Sequence, residues 1–182
     1  MKEKDIAEKV SVPEGVEVKV ERGTVAAKGP KGECKRRLAD PKIAVSLKEK
    51  FVVISSKGKT KREKTRVGSY AAHIKNIIKG VSEGHIYKLK VCSGHFPMNA
   101  GVSGNQFVVK NFLGEKKPRT LNLREGVNVK VEGDIVTVQS CNKELAGQTA
   151  ADIEMLTKVT NRDLRIFQDG IYITEKDGKP IR

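Results

Sequence analysis

A short stretch of this 182-residue chain has a looser copy earlier in it, and an internal repeat decides architecture before any single residue does. The later copy is Asn142-Lys143-Glu144-Leu145-Ala146-Gly147-Gln148-Thr149-Ala150-Ala151-Asp152-Ile153, and the earlier is Lys64-Thr65-Arg66-Val67-Gly68-Ser69-Tyr70-Ala71-Ala72-His73-Ile74. Both place a Lys four residues before a Gly, Ala-Ala at the third and fourth positions after it, and Ile two further on. The hydrophobic pattern upstream repeats as well. Val127, Val129 and Val131 follow Ile43, Val45 and Leu47 at an offset of 84 residues, and Ile135 to Val138 follows Phe51 to Ile54 at the same offset. The helix-like segments are 79 residues apart, so the second copy carries a loop five residues shorter before its helix. Surface loops absorb such changes without disturbing a shared core.

Alternating apolar and polar residues read as half-buried strands, with Tyr87, Leu89 and Val91 taken as the counterpart of Val16, Val18 and Val20. Ala71, Ile74 and Ile78, like Ala150, Ile153 and Leu156, recur at near-helical spacing. Each Gly is therefore expected to open a helix, the first running from Gly68 to Lys79 and stopping at Gly80. Strands first and a helix last, twice, predict an α+β fold of two similar tandem domains, residues 1–82 and 83–182. Each is a mainly antiparallel β-sheet with one α-helix packed on one face. Residues 1–15 read as a mobile start, the Lys57 to Arg66 stretch as a polar basic loop, and Arg165 to Thr174 as an edge strand.

Charge narrows the partners. The chain has 36 Lys and Arg against 22 Asp and Glu, a formal net charge of +14. Such an excess calls for a polyanion, with nucleic acid ahead of an acidic membrane face because no basic amphipathic helix stands out. No apolar run approaches the roughly 20 residues that span a bilayer, and no apolar segment follows Met1 to Asp5, so a soluble, intracellular protein is expected. Aromatic residues are only 4% and Trp is absent, which favours recognition of backbone and shape over base stacking. Cys34, Cys92 and Cys141, widely spaced, are read as free thiols of a reducing compartment.

Three basic clusters stand out: Lys57, Lys59, Lys61, Arg62, Lys64 and Arg66; Lys31, Lys35, Arg36 and Arg37; and Lys110, Lys116, Lys117, Arg119 and Arg124. Each reads as a solvated face or as a phosphate contact, and three together favour phosphate. At the second repeat's helix, Gly147 with small residues after it and Lys143 before it would leave unpaired amides open to an anion. The alternative is that the small residues let the helix lie close on a sheet, which leaves function to Lys143 and Gln148. Gly58-Lys59-Thr60 has the end of a phosphate-binding P-loop but lacks its first Gly, since Val53 stands there. Gly29-Pro30-Lys31-Gly32 has the Gly-x-x-Gly form of KH domains but lies between strands, as a β-turn does. Cys92, His95 and His85 fall short of a four-ligand structural zinc site, and no acid, base and nucleophile set is tied together by spacing. No catalysis, cofactor, metal or small-molecule substrate is expected.

The Asn142 to Ile153 stretch resembles the signature of the large-subunit ribosomal protein six family. Gly29-Pro30-Lys31-Gly32-Glu33, His95-Phe96-Pro97-Met98, Asn111-Phe112-Leu113-Gly114-Glu115-Lys116 and Phe167-Gln168-Asp169-Gly170-Ile171-Tyr172-Ile173 are also similar to it, the last three to its archaeal and eukaryotic branch. Cys141-Asn142 departs from the family's usual Gly or Pro followed by Asp. The resemblance implies two similar domains, no catalysis, and binding of large-subunit rRNA near the stalk base and factor-binding region, beside neighbouring ribosomal proteins and away from any membrane. It implies a cytoplasmic, ribosome-associated protein whose second domain makes the main RNA contacts. Carried onto this chain, the expected RNA-binding residues are Lys143, Gly147 and Gln148, supported by Lys110, Lys116, Lys117 and Arg119. A free-standing RNA-binding regulator and, further off, an RNA-processing enzyme are the alternatives.

Overall fold

The computed structural model describes residues 6–21, 23–48, 50–56, 58 and 60–181. Residues up to Gly84 form one compact unit and those from His85 onward a second. In the first, β1 (Ile6–Ser11), β2 (Glu17–Glu21), β3 (Thr24–Gly29), β4 (Gly32–Arg37), β5 (Ile43–Lys48) and β6 (Phe51–Ser56) precede α1 (Lys61–Ser82). Their antiparallel sheets have the orders β1-β6-β5 and β2-β3-β4. Val52, Ile54, Ala71, Ile74 and Val81 are fully buried between the strands and α1.

The second unit contains β7 (His85–Cys92), β8 (Asn99–Ser103), β9 (Gln106–Lys110), a 3-10 turn at Phe112–Gly114, β10 (Arg119–Asn122), β11 (Val127–Glu132), β12 (Ile135–Ser140), α2 (Lys143–Leu156), β13 (Gly170–Lys176) and β14 (Lys179–Pro180). Its antiparallel sheets run β11-β12-β7-β13-β14 and β10-β9-β8. The core is built from Leu89, Phe107, Val109, Val136 and Val138 of the strands and Ala146, Ala150 and Ile153 of α2. Two helices on mostly antiparallel sheets make the α+β fold that the repeat predicts.

The duplication is visible in the register. Val45 pairs with Ile54 in β5 and β6, and Val129 pairs with Val138 in β11 and β12, the same 84-residue step on both strands. Val67, Ala71 and Ile74 face the core from α1, and Ala146, Ala150 and Ile153 do so from α2, a step of 79. Even the approach to the helix recurs. Buried Ser56 accepts the Gly58 N–H through Oγ, and buried Ser140 accepts the Asn142 N–H in the same way.

Four expectations change. Residues 6–11 are not a mobile start but the edge strand β1, whose Val10 pairs with Val52 as Leu89 of β7 pairs with Val136. Tyr87 to Val91 is therefore the counterpart of β1, and β8 (Asn99–Ser103) is that of β2 (Glu17–Glu21). The inward row of β1 carries Glu8, which meets Lys75 of α1 at 3.0 Å, and a charged residue at that position hides the apolar alternation. Second, α1 begins at Lys61, because Thr60 and Glu63 form a capping box that satisfies helix-end amides reciprocally. Lys61, Arg62, Lys64 and Arg66 of the expected loop are thus helical, and Lys57 and Lys59 lie outside the described residues. Third, Gly80 is buried inside α1, which runs on to Ser82; the left-handed residue that lets the chain turn is Gly84, at φ 85°. Fourth, the last long strand starts at Gly170 and lies between β7 and the short β14, so it is not an edge along its whole length.

Candidate nucleic-acid interface

Helix α2 begins one turn earlier than Gly147. Asn142 is its N-cap, the side-chain Oδ1 accepting the Glu144 N–H at 2.9 Å, and Ala146 N–H closes the first turn on the Asn142 carbonyl at 3.0 Å. Lys143 is the first helical residue, half-buried beside the remaining unpaired amides. The amide of Gly147 belongs to the helix's own ladder and cannot seat an anion. Gly147 has a packing role instead, since a β-carbon there would come within 3.2 Å of the Tyr87 hydroxyl on β7. At Gly68, inside α1, a β-carbon would meet nothing within 4 Å. Gln148 is exposed in the second turn and donates to Asp152 Oδ1 at 2.8 Å, while Arg124 holds the other Asp152 oxygen at 3.0 Å.

The supporting cations are not beside this helix start. Arg119 donates to the carbonyl of Leu156 at 2.8 Å, at the opposite end of α2, about 20 Å away at 1.5 Å per residue. It also forms a fork on both oxygens of Glu115, at 2.5 and 2.9 Å, and lies 4.2 Å over the Phe112 ring. The hydrogen bonds from Arg119 hold the Glu115 carboxyl below the usual range. Arg119 is therefore a positioning residue that ties the 3-10 turn to the end of α2. That turn carries Lys116 and Lys117, both exposed, out from the unit; Lys110 is exposed at the end of β9.

A further set of residues collects at the same end as Arg119, and spacing alone gives no signal for it because its two segments, at residues 94–95 and 162–169, are more than sixty residues apart. Asp169, buried, accepts the Gly94 N–H at 2.6 Å and the His95 N–H at 3.0 Å through one oxygen and holds His95 Nδ1 at 2.5 Å with the other. Burial works against its charge, but the hydrogen bonds from His95 and Gly94 together outweigh it and keep the carboxyl below its ordinary pKa. The His95 ring stacks on Phe167 with centroids 4.6 Å apart and planes 21° from parallel, and the Arg162 guanidinium lies 4.7 Å over the same Phe167 ring. Asn111 donates to the Pro97 carbonyl at 3.0 Å and Gly114 approaches the Phe96 ring, which joins this loop to the turn bearing Lys116 and Lys117. The loops at residues 93–98, 111–118 and 157–169 thus make one surface with cations, half-exposed aromatics and buried polar anchors. Among the described residues no group of three or more His, Cys, Asp or Glu is gathered as metal ligands, and no helix is long and apolar enough to cross a membrane.

The family model described as Ribosomal protein L6 matches the chain twice, over residues 12–84 and 96–170. Among curated relatives, "Large ribosomal subunit protein uL6" of Methanococcus vannielii is 49% identical over 176 residues, covering 97% of this chain and 97% of the relative. "Large ribosomal subunit protein uL6" of Methanosarcina mazei is 46% identical over 173 residues, covering 95% of this chain and 98% of the relative.

Proposed function

The chain belongs to the ribosomal protein L6 family, whose members are ribosomal proteins and not enzymes, and from that premise we propose that it is a structural constituent of the large ribosomal subunit. In this reading it holds large-subunit rRNA near the base of the stalk and the factor-binding region, alongside neighbouring ribosomal proteins, in the cytoplasm. The observation that carries the proposal is 49% identity over almost the whole of a chain named as a large-subunit protein. The net charge of +14 supports it, because a protein that neutralises phosphates needs such an excess.

Within the second unit the RNA contacts are assigned to two places. Lys143 offers a cation beside the unpaired amides at the start of α2, with Gly147 letting that helix lie on Tyr87 and Gln148 exposed in the next turn. Lys110, Lys116 and Lys117 offer cations around the 3-10 turn, which Arg119 holds in place. Phosphate contacts of this kind position a protein on RNA without reading its sequence. Sedimentation of a cell lysate tests the assignment: the protein should travel with large subunits and stay there through a moderate salt wash. Recovery only in the unsedimented fraction overturns it.

A further inference from the structure

We propose that the Arg162, Phe167 and His95 stack is a platform for one unpaired base of an RNA loop. The inference rests on the RNA-binding reading above and names a contact that reading lacks, recognition of a base face. Aromatic residues are scarce in this chain, yet the fold brings Phe96, Phe167, His95 and an arginine to one loop surface of the second unit. The stack is built before any ligand arrives. Asp163 accepts the Phe167 N–H at 2.9 Å and the Ile166 N–H at 3.1 Å through its carbonyl, and its carboxylate holds the Arg165 N–H and guanidinium. Thr157 Oγ1 accepts the Ile171 N–H at 2.9 Å, and Asp169 fixes His95 from its Nδ1 side. His95 Nε2 has no partner among the described residues, and its side chain is 35% exposed.

The ordering cost of this loop is therefore met within the protein, which is the condition for a small contact to contribute affinity. The same turn leaves Leu164 and Ile166 at 61% and 63% exposure, so apolar surface lies beside the stack. Unpaired bases stack on aromatic rings and on arginine planes, and their edges take hydrogen bonds from groups such as an imidazole nitrogen. The surrounding exposed cations, Lys116, Lys117, Lys158 and Arg162, favour RNA over a protein segment as the occupant.

The test uses the full chain and a transcribed large-subunit rRNA domain of the same organism. Arg162→Lys keeps the charge and removes the stacking plane, and Phe167→Leu keeps apolar volume and removes the ring. Each should weaken binding roughly ten-fold while leaving the slope of log affinity against log salt unchanged, because no phosphate contact is lost. The chain has no Trp, so Phe167→Trp gives a single reporter in contact with His95 and Arg162, whose emission should be quenched when a base seats on the stack. Unfolding curves of the three variants check that each is folded; the Trp variant, the most conservative, carries the test if either other one is not. If wild type binds and the variants bind within two-fold of it with no Trp quenching, the platform is refuted and Leu164 and Ile166 face a protein instead. If wild type itself binds no rRNA, the RNA-binding reading falls and the platform with it.

Discussion

Gly68 and Gly147 occupy the same place in the two repeats, and the structure gives their replacement by alanine opposite signs. Gly68 is exposed in the interior of α1 with open space where a β-carbon would go. Alanine there removes the excess freedom of glycine in the unfolded chain, and the first unit should gain about 0.5–1 kcal/mol. For a unit of that size the gain corresponds to a melting shift of roughly 2–8 °C. Gly147→Ala earns the same helix term but places a β-carbon 3.2 Å from the Tyr87 hydroxyl and 3.5 Å from its ring, in a core where added volume costs about 1–3 kcal/mol. The net result should be a loss of about 0–2.5 kcal/mol in the second unit. Tyr87→Phe removes the closest contact and leaves the ring carbon at an ordinary distance, so the double variant should recover most of that loss. Hydrogen exchange read separately on α1 and α2 peptides, beside denaturant unfolding of the whole chain, resolves the two units. Equal shifts of the same sign for both alanine variants, or no coupling between Gly147 and Tyr87, would refute the packing explanation of the second glycine.

Lys143→Ala should weaken rRNA binding across sequences and lower the salt slope by about one, whereas Gln148→Ala should leave the slope unchanged; filter binding at graded salt decides both. Arg119→Ala loses bonds to Glu115 and the Leu156 carbonyl and its seat over Phe112, and should destabilise the second unit by about 1–3 kcal/mol, read by denaturant unfolding. Asp169 has a folded pKa below its unfolded one, so its contribution is present above the unfolded value near 4 and is lost as pH falls through the folded value. Exchange protection of the Gly94 and His95 amides should fall over that acid window, and Asp169→Asn should remove the pH dependence.

The sheet and helix skeleton was legible because its signals are local and occur twice: a period of two in Val127 to Val131, a helical period in Ala150 to Leu156. What was not legible depends on partners distant in sequence. Glu8 looks like a break in β1 until Lys75 is placed opposite it. Arg119 looks like a free cation until it is seen to be shared between Glu115 and the end of α2, and Lys143 looks like its neighbour until the length of the helix separates them. The basic run before Gly68 reads as loop if only charge is weighed, although Thr60 and Glu63 carry the spacing of a capping box. That signal was available. The His95, Phe167 and Asp169 cluster was legible only as two separate motifs, His95 to Met98 and Phe167 to Ile173, because nothing in their local spacing ties the second, beyond α2, to the first.

The two helices show how one fold can be kept in both halves while only one gains a loop surface. Ile77 of α1 is the counterpart of Leu156, yet α1 continues to Ser82 whereas α2 stops at Leu156. The extra turn of α1 is put to structural use. Val81 is buried, its carbonyl accepts the Lys31 N–H at 3.0 Å, and a β-carbon at Gly29 would lie 2.6 Å from that carbonyl oxygen, so the Gly29 to Gly32 turn is sealed against the helix end. In the second unit the corresponding turn, between β9 and β10, has grown into the 3-10 segment with Lys116 and Lys117, and among the described residues no carbonyl of α2 accepts a backbone N–H from it. The guanidinium of Arg119 takes that place, satisfying the last helical carbonyl at Leu156 and holding the longer turn from below. The chain released from helix after Leu156 is then free to form the turn that carries Arg162, Asp163 and Phe167. A shorter helix and one arginine thus convert a closed structural corner into three adjoining loops, without altering a single strand pairing between β11 and β12.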